Sequence, residues 1–95
     1  MKFEDFTKEE RMSIAEFVIA YENDVFIKSD GVKMISIFLA KEIINEEDSI
    51  NLTSKLEKDI NLSEELIEIL FSNVGVKVGK KIMDEYAYNN LPSDN

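Results

Sequence analysis

Carboxylates are the side chains of this chain best placed to do chemistry. Glu42, Glu46, Glu47 and Asp48 form one cluster, and Glu64, Glu65 and Glu68 form a second. Such a density of acids can grip a basic surface, imitate the phosphate spacing of a nucleic acid, or hold a divalent cation. Each cluster also has an ordinary use as a solvated helix face, or as acids at the positive end of a helix dipole. A calcium loop is excluded: Asn23-Asp24 and Asp30-Gly31 enclose Val25-Phe26-Ile27, which is apolar where ligands are required. The chain has no His, Cys or Trp. Proton transfer at neutral pH, thiol chemistry and transition-metal binding therefore lose their usual side chains. An enzymatic site would have to combine carboxylates with Lys, Ser or Tyr, and no spacing singles out such a set. The expectation is a non-enzyme without cofactor or metal.

The acids exceed the bases, 20 to 11, for a net charge of −9 on 95 residues. Residues 1–50 carry −6 (twelve acids, six bases) and 51–95 carry −3 (eight acids, five bases). Bare nucleic acid and anionic lipid surfaces repel such a chain, so neither is an expected partner. A basic protein is. The bases concentrate at Lys77, Lys80 and Lys81, which suggests a polarised surface rather than a uniform coat. Tyr86 and Tyr88 are candidate anchors beside the acids, because tyrosine combines apolar contact area with a polar tip.

The elements that must carry these side chains read as helices. Apolar residues make up 44% of the sequence, enough for one core in a single domain spanning 1–95. Thr7 and Glu10 have capping-box spacing and open a helix running from Lys8 to about Asn23. Val25 to Met34 has two readings. Asp30-Gly31 between β-rich residues signals a hairpin, whereas Ile35, Phe38, Leu39, Ile43 and Ile44 continue a helical stripe. The reading adopted is a loop at 24–30 and a helix at 31–46. Leu52, Leu56 and Ile60 mark a short helix. Ser63 is expected to cap another, with Leu62 and Ile67 as its hydrophobic staple. Val74, Val76 and Val78 alternate as in a strand, but Val74, Val78, Ile82 and Tyr86 form a helical stripe, and a helix at 74–88 is preferred. Pro92 lies in a polar tail, 89–95, expected to fray. The expected fold is an all-α, compact single-domain bundle of four to five short helices, with a β-hairpin around Asp30-Gly31 as the main departure.

Two motifs suggest other functions. Asp48-Ser49-Ile50 resembles the Asp-Ser-Leu of acyl carrier proteins, which are also small, acidic and helical. That resemblance implies a phosphopantetheine arm on Ser49 at the start of a helix. It covers about a tenth of the chain, and a capping role for Ser49 is the bland alternative. Helices at 64–72 and 74–88 could also form a helix-turn-helix presenting Lys77, Lys80 and Lys81 to DNA. The only Arg is Arg11, far from that segment, and base readout leans on Arg, Asn or Gln. Gly75 and Gly79, four apart, would let a neighbouring backbone or a second copy of the chain approach closely.

The N-terminus carries acids where a secretory leader needs an apolar run, and no stretch reaches the length of a membrane span. With no Cys, a reducing cytoplasm is expected. The function that best unites these features is an acidic protein-interaction module of the inhibitor, antagonist or immunity type, occluding a basic protein partner, a nucleic-acid-binding protein being one candidate. Its expected contact residues are the seven acids of the two clusters with Tyr86 and Tyr88.

Overall fold

A computed structural model describes residues 1–90. A 3₁₀ turn at Phe3–Asp5 precedes five α-helices: α1 (Lys8–Glu22), α2 (Lys28–Ala40), α3 (Glu46–Glu57), α4 (Ser63–Val74) and α5 (Val76–Asn89). The described residues contain no strand, so the protein is an all-α bundle. The alternative hairpin does not form; the helix adopted for this segment is present and starts earlier than expected, at Lys28 rather than 31. Asp30 and Gly31 lie inside α2, and a Cβ on Gly31 would come within 2.9 Å of the Phe26 ring. This glycine serves close packing rather than a turn. The frayed-tail expectation begins on a helical residue, Asn89, and residues 91–95 lie outside the described residues.

Thr7 starts α1 by the reciprocal bonding its spacing predicts. The Thr7 hydroxyl accepts from the Glu10 N–H at 3.1 Å, and the Glu10 carboxylate accepts from the Thr7 N–H at 2.8 Å. Two orphan donors of the helix start are thereby satisfied. The α3 helix opens on Asn45, whose side-chain oxygen accepts from the Asp48 N–H at 2.8 Å. Ser49 therefore does not cap. It sits half-buried at the fourth helical position, its own N–H bonded to the Asn45 carbonyl. Ser63 does not cap α4: it is the first helical residue, and Leu62 before it holds the cap position with no side-chain cap bond. The Asn61 side chain accepts from the Ser63 N–H at 2.8 Å and from its hydroxyl at 2.6 Å, while Leu62 is fully buried.

Helix ends departed furthest from expectation. The α2 helix stops at Ala40 rather than continuing to 46, because Glu42 turns left-handed at φ 59°. The Ile43 N–H then reaches back to the Phe38 carbonyl at 2.8 Å and the Glu42 N–H to Leu39 at 3.1 Å. This is the Schellman pattern. It recurs after α1, with Asp24 left-handed and Val25 N–H on Ala20, and after α3, with Asp59 left-handed and Ile60 N–H on Lys55. Ile60 consequently ends up outside the helix and 43% exposed, off the stripe drawn from Leu52 and Leu56.

α2 is the hub of the packing. It lies against α1, α3 and α4, while α5 lies against α1, α4 and the 3₁₀ turn. Phe17, Phe38, Met34, Leu56, Leu66, Leu70 and Ile82 are fully buried in one shared core. Each contributes about 1.5–3 kcal/mol of transfer free energy on burial. The long helical reading of the final segment holds from Val76 onward. α4 continues to Val74, and Gly75 alone joins it to α5 at φ 87°, ψ 161°.

Candidate functional site

Helical geometry sorts the nine candidate residues. Glu46, Glu47 and Asp48 occupy the first turn of α3, where the positive end of the dipole favours them. Glu42 stands exposed in the tight turn just before. On α4, Glu65 and Glu68 are three apart and share a face with Ile69, Ser72 and Asn73. Glu64, although adjacent in sequence, faces elsewhere and accepts from the Tyr21 hydroxyl at 3.2 Å. A rotation of about 100° per residue separates Glu64 from Glu65, and the Tyr21 hydroxyl draws its carboxylate away from Glu68, one turn on.

The α3 and α4 faces meet in a groove of about 470 Å³. Ile43, Ile44, Leu52 and Ile69 are its apolar lining, and Asp48, Asn51, Lys55, Glu65 and Asn73 are its polar rim. Lys55 pairs with Glu65 at 3.3 Å, the two side chains 45% and 49% exposed. An ion pair that open is worth about 0–1 kcal/mol and can exchange for another cation. The structure thus gathers Asp48 and Glu65 about one groove, sets Glu68 in an adjoining hollow that shares Glu65, Ile69 and Asn73, and places Glu46 and Glu47 on the same turn as Asp48. The tyrosines are not part of it. Tyr86 is half-buried against the core and lines a different groove with Ile19, Val25 and Ile27, and Tyr88 is 77% exposed.

The groups whose protonation the fold perturbs lie elsewhere and tie helices together. Arg11 donates to both oxygens of Glu85, Nε to Oε1 at 2.8 Å and Nη2 to Oε2 at 3.0 Å. Its Nη1 also donates to the Phe6 carbonyl, and the guanidinium stacks 4.2 Å from the Phe3 ring centroid. These hydrogen bonds hold the Arg11 guanidinium above and the Glu85 carboxyl below their ordinary values. Glu10 pairs with Lys41 at 2.9 Å. Burial alone would raise its carboxyl, but the Thr7 N–H and the Lys41 ammonium outweigh that and lower it. The negative charge of Glu64 raises the Tyr21 hydroxyl. Sequence reasoning missed the Arg11–Glu85 clamp, which spans 74 positions. A lone Arg in an acidic chain was the available signal.

Among the described residues no group of three or more acids is arranged to hold a metal ion, and no helix is long and apolar enough to cross a membrane. The alternative motifs fit their templates poorly. Ser49 lies one turn inside α3 rather than at its start, and the single residue Gly75 replaces the three to four residues usual between the helices of a helix-turn-helix. Nor do the two glycines act as a pair. A Cβ on Gly79 would come within 2.9 Å of the Phe71 ring, whereas one on Gly75 would meet nothing within 4 Å. No family model, curated protein or solved structure matches the chain.

Proposed function

We propose that this chain is a cytoplasmic protein-interaction module that occludes a basic protein partner stoichiometrically through the α3–α4 groove. The observation that supports it is the placement of carboxylates from two helices around one apolar-lined groove. A partner that inserts an aliphatic or aromatic side chain between Ile43, Leu52 and Ile69 would bring flanking Lys or Arg groups against Asp48 and Glu65. Apolar contact supplies the dwell time, and the acidic field accelerates encounter and selects basic partners. Glu46, Glu47 and Glu42 extend that field to the adjoining corner. An inhibitor or immunity-type role follows if the surface covered on the partner is its own working surface.

Affinity capture at low and high salt tests the proposal. The expected result is a basic partner held at one-to-one stoichiometry, released by salt, and lost on combining Asp48→Asn, Glu65→Gln and Glu68→Gln. Association should slow about ten-fold or more in that variant. Lys55→Met should strengthen capture, because it frees Glu65. Capture indifferent to both salt and the triple substitution would sink the proposal, as would recovery of no basic protein.

A further inference from the structure

A second groove, of about 560 Å³, opens where the end of α1, the α1–α2 turn and α5 meet. It shares no lining residue with the α3–α4 groove. Ile19, Val25, Ile27 and Tyr86 supply its apolar surface, with Val25 48% and Ile27 46% exposed. Neither exposure is an accident of a loose loop. Val25 is locked by its N–H bond to the Ala20 carbonyl at 2.8 Å, which closes the Schellman turn. Ile27 occupies the position that begins α2, where no side chain caps the helix. Ser, Thr, Asp or Asn at that position would satisfy an orphan N–H. An isoleucine there leaves the helix start uncapped and nearly half its own surface in water, beside the similarly exposed Val25.

We propose that this face is a second docking surface, whose occupant is a basic amphipathic helix of a protein partner. Charge complementarity selects the occupant. Glu16 and Asp30 stand on the rim, and Asp24 and Glu64 line the adjoining hollow that shares Val25. Lys33 is the basic residue on that rim. The α1 contribution recurs at Glu16, Ile19, Ala20 and Asn23, a helical stripe about 10 Å long, which matches two turns of a docked helix. Tyr86 contributes a rigid aromatic wall that needs little ordering on binding. With both grooves occupied, the module would hold two basic segments at once.

Amide chemical-shift mapping of the full chain tests this, with a synthetic Leu/Lys helix whose leucines recur at i, i+3, i+4 and i+7 as the probe. A scrambled peptide of the same composition is the control. The expected shifts fall on Ile19, Val25, Ile27 and Tyr86. Affinity at this face should drop about ten-fold with the scrambled peptide and again with Ile27→Ser, in a chain whose spectrum stays folded. Val25→Ser should act alike, and the α3–α4 triple substitution should leave these shifts in place even if it abolishes capture by the first groove. The proposal is overturned by shifts confined to the α3–α4 groove, by equal binding of the scrambled peptide, or by indifference to both serine variants. It is equally overturned if the same amides shift with protein concentration alone, since a second copy then covers the face.

Discussion

Three residues other than glycine adopt a backbone that glycine suits best, and Glu42 is the least suited of them, since aspartate tolerates it better. Asp24, Glu42 and Asp59 each take a left-handed backbone, at φ 57°, 59° and 60°. Glycine usually fills this position after a helix, because a Cβ there crowds the following carbonyl. Glu42→Gly is expected to raise stability by about 0.5–1 kcal/mol, measured by chemical denaturation. If Glu42 also contributes to the acidic field, the same variant should bind a basic partner more slowly while being more stable. Gly75 is the opposite case. Its φ of 87° and ψ of 161° lie in a region that only glycine occupies readily. With open space around its Cβ position, Gly75→Ala should cost about 1–3 kcal/mol through backbone strain alone, read as a lowered unfolding midpoint.

At the scale of elements, paired charges hold the helix ends in register. Arg11 joins α1 to α5 and to the 3₁₀ turn, and Glu10 with Lys41 joins the start of α1 to the end of α2. The Arg11 and Glu85 side chains are 14% and 24% exposed, so solvent screens them only in part. Arg11→Met should cost about 1–2 kcal/mol. The acid dependence has a definite sign. Glu10 and Glu85 are both lowered from the ordinary 4.5, so the unfolded chain takes up protons first. Their contribution is intact above about pH 4.5 and is lost as the pH falls through the lower folded-state values. Denaturation midpoints from about pH 3 to 7 should show this decline, and Arg11→Met should flatten it. Tyr21 reports the alkaline side. Its hydroxyl is raised, so the contact with Glu64 persists up to the ordinary value of 10 and is lost as the pH climbs through the higher folded value.

For the molecule as a whole, the charge of −9 sets stability and binding against each other. Self-repulsion among exposed acids strains the folded chain, and salt screens it over about 8–10 Å. Added salt should therefore raise the melting temperature while weakening capture of a basic partner. A melting temperature that falls with salt would mean that favourable ion pairs outweigh the repulsion. Asp48 and Glu65 at one groove, and Glu16 and Asp30 at the other, give this field more than one focus.

The sequence by itself determined the all-α class, the capping box at Thr7, and most of the buried stripe, because these depend on local spacing and on periodicity within one helix. Its pattern also marked α3 and α4 as carriers of acids. It could not set the end of α2, since the left-handed turn at Glu42 lacks the glycine that normally announces one. At Asp30-Gly31 local spacing allowed a hairpin beside the preferred helix, and the close packing of Gly31 on the Phe26 ring is visible only in the fold. Only the tertiary structure decided which carboxylates share a groove. Asp48 and Glu65 line one groove from two helices, while Glu64 turns toward Tyr21 and Tyr86 faces a separate surface. Those juxtapositions depend on how the α2 hub orients its neighbours, and that orientation is set by long-range packing that no local spacing records.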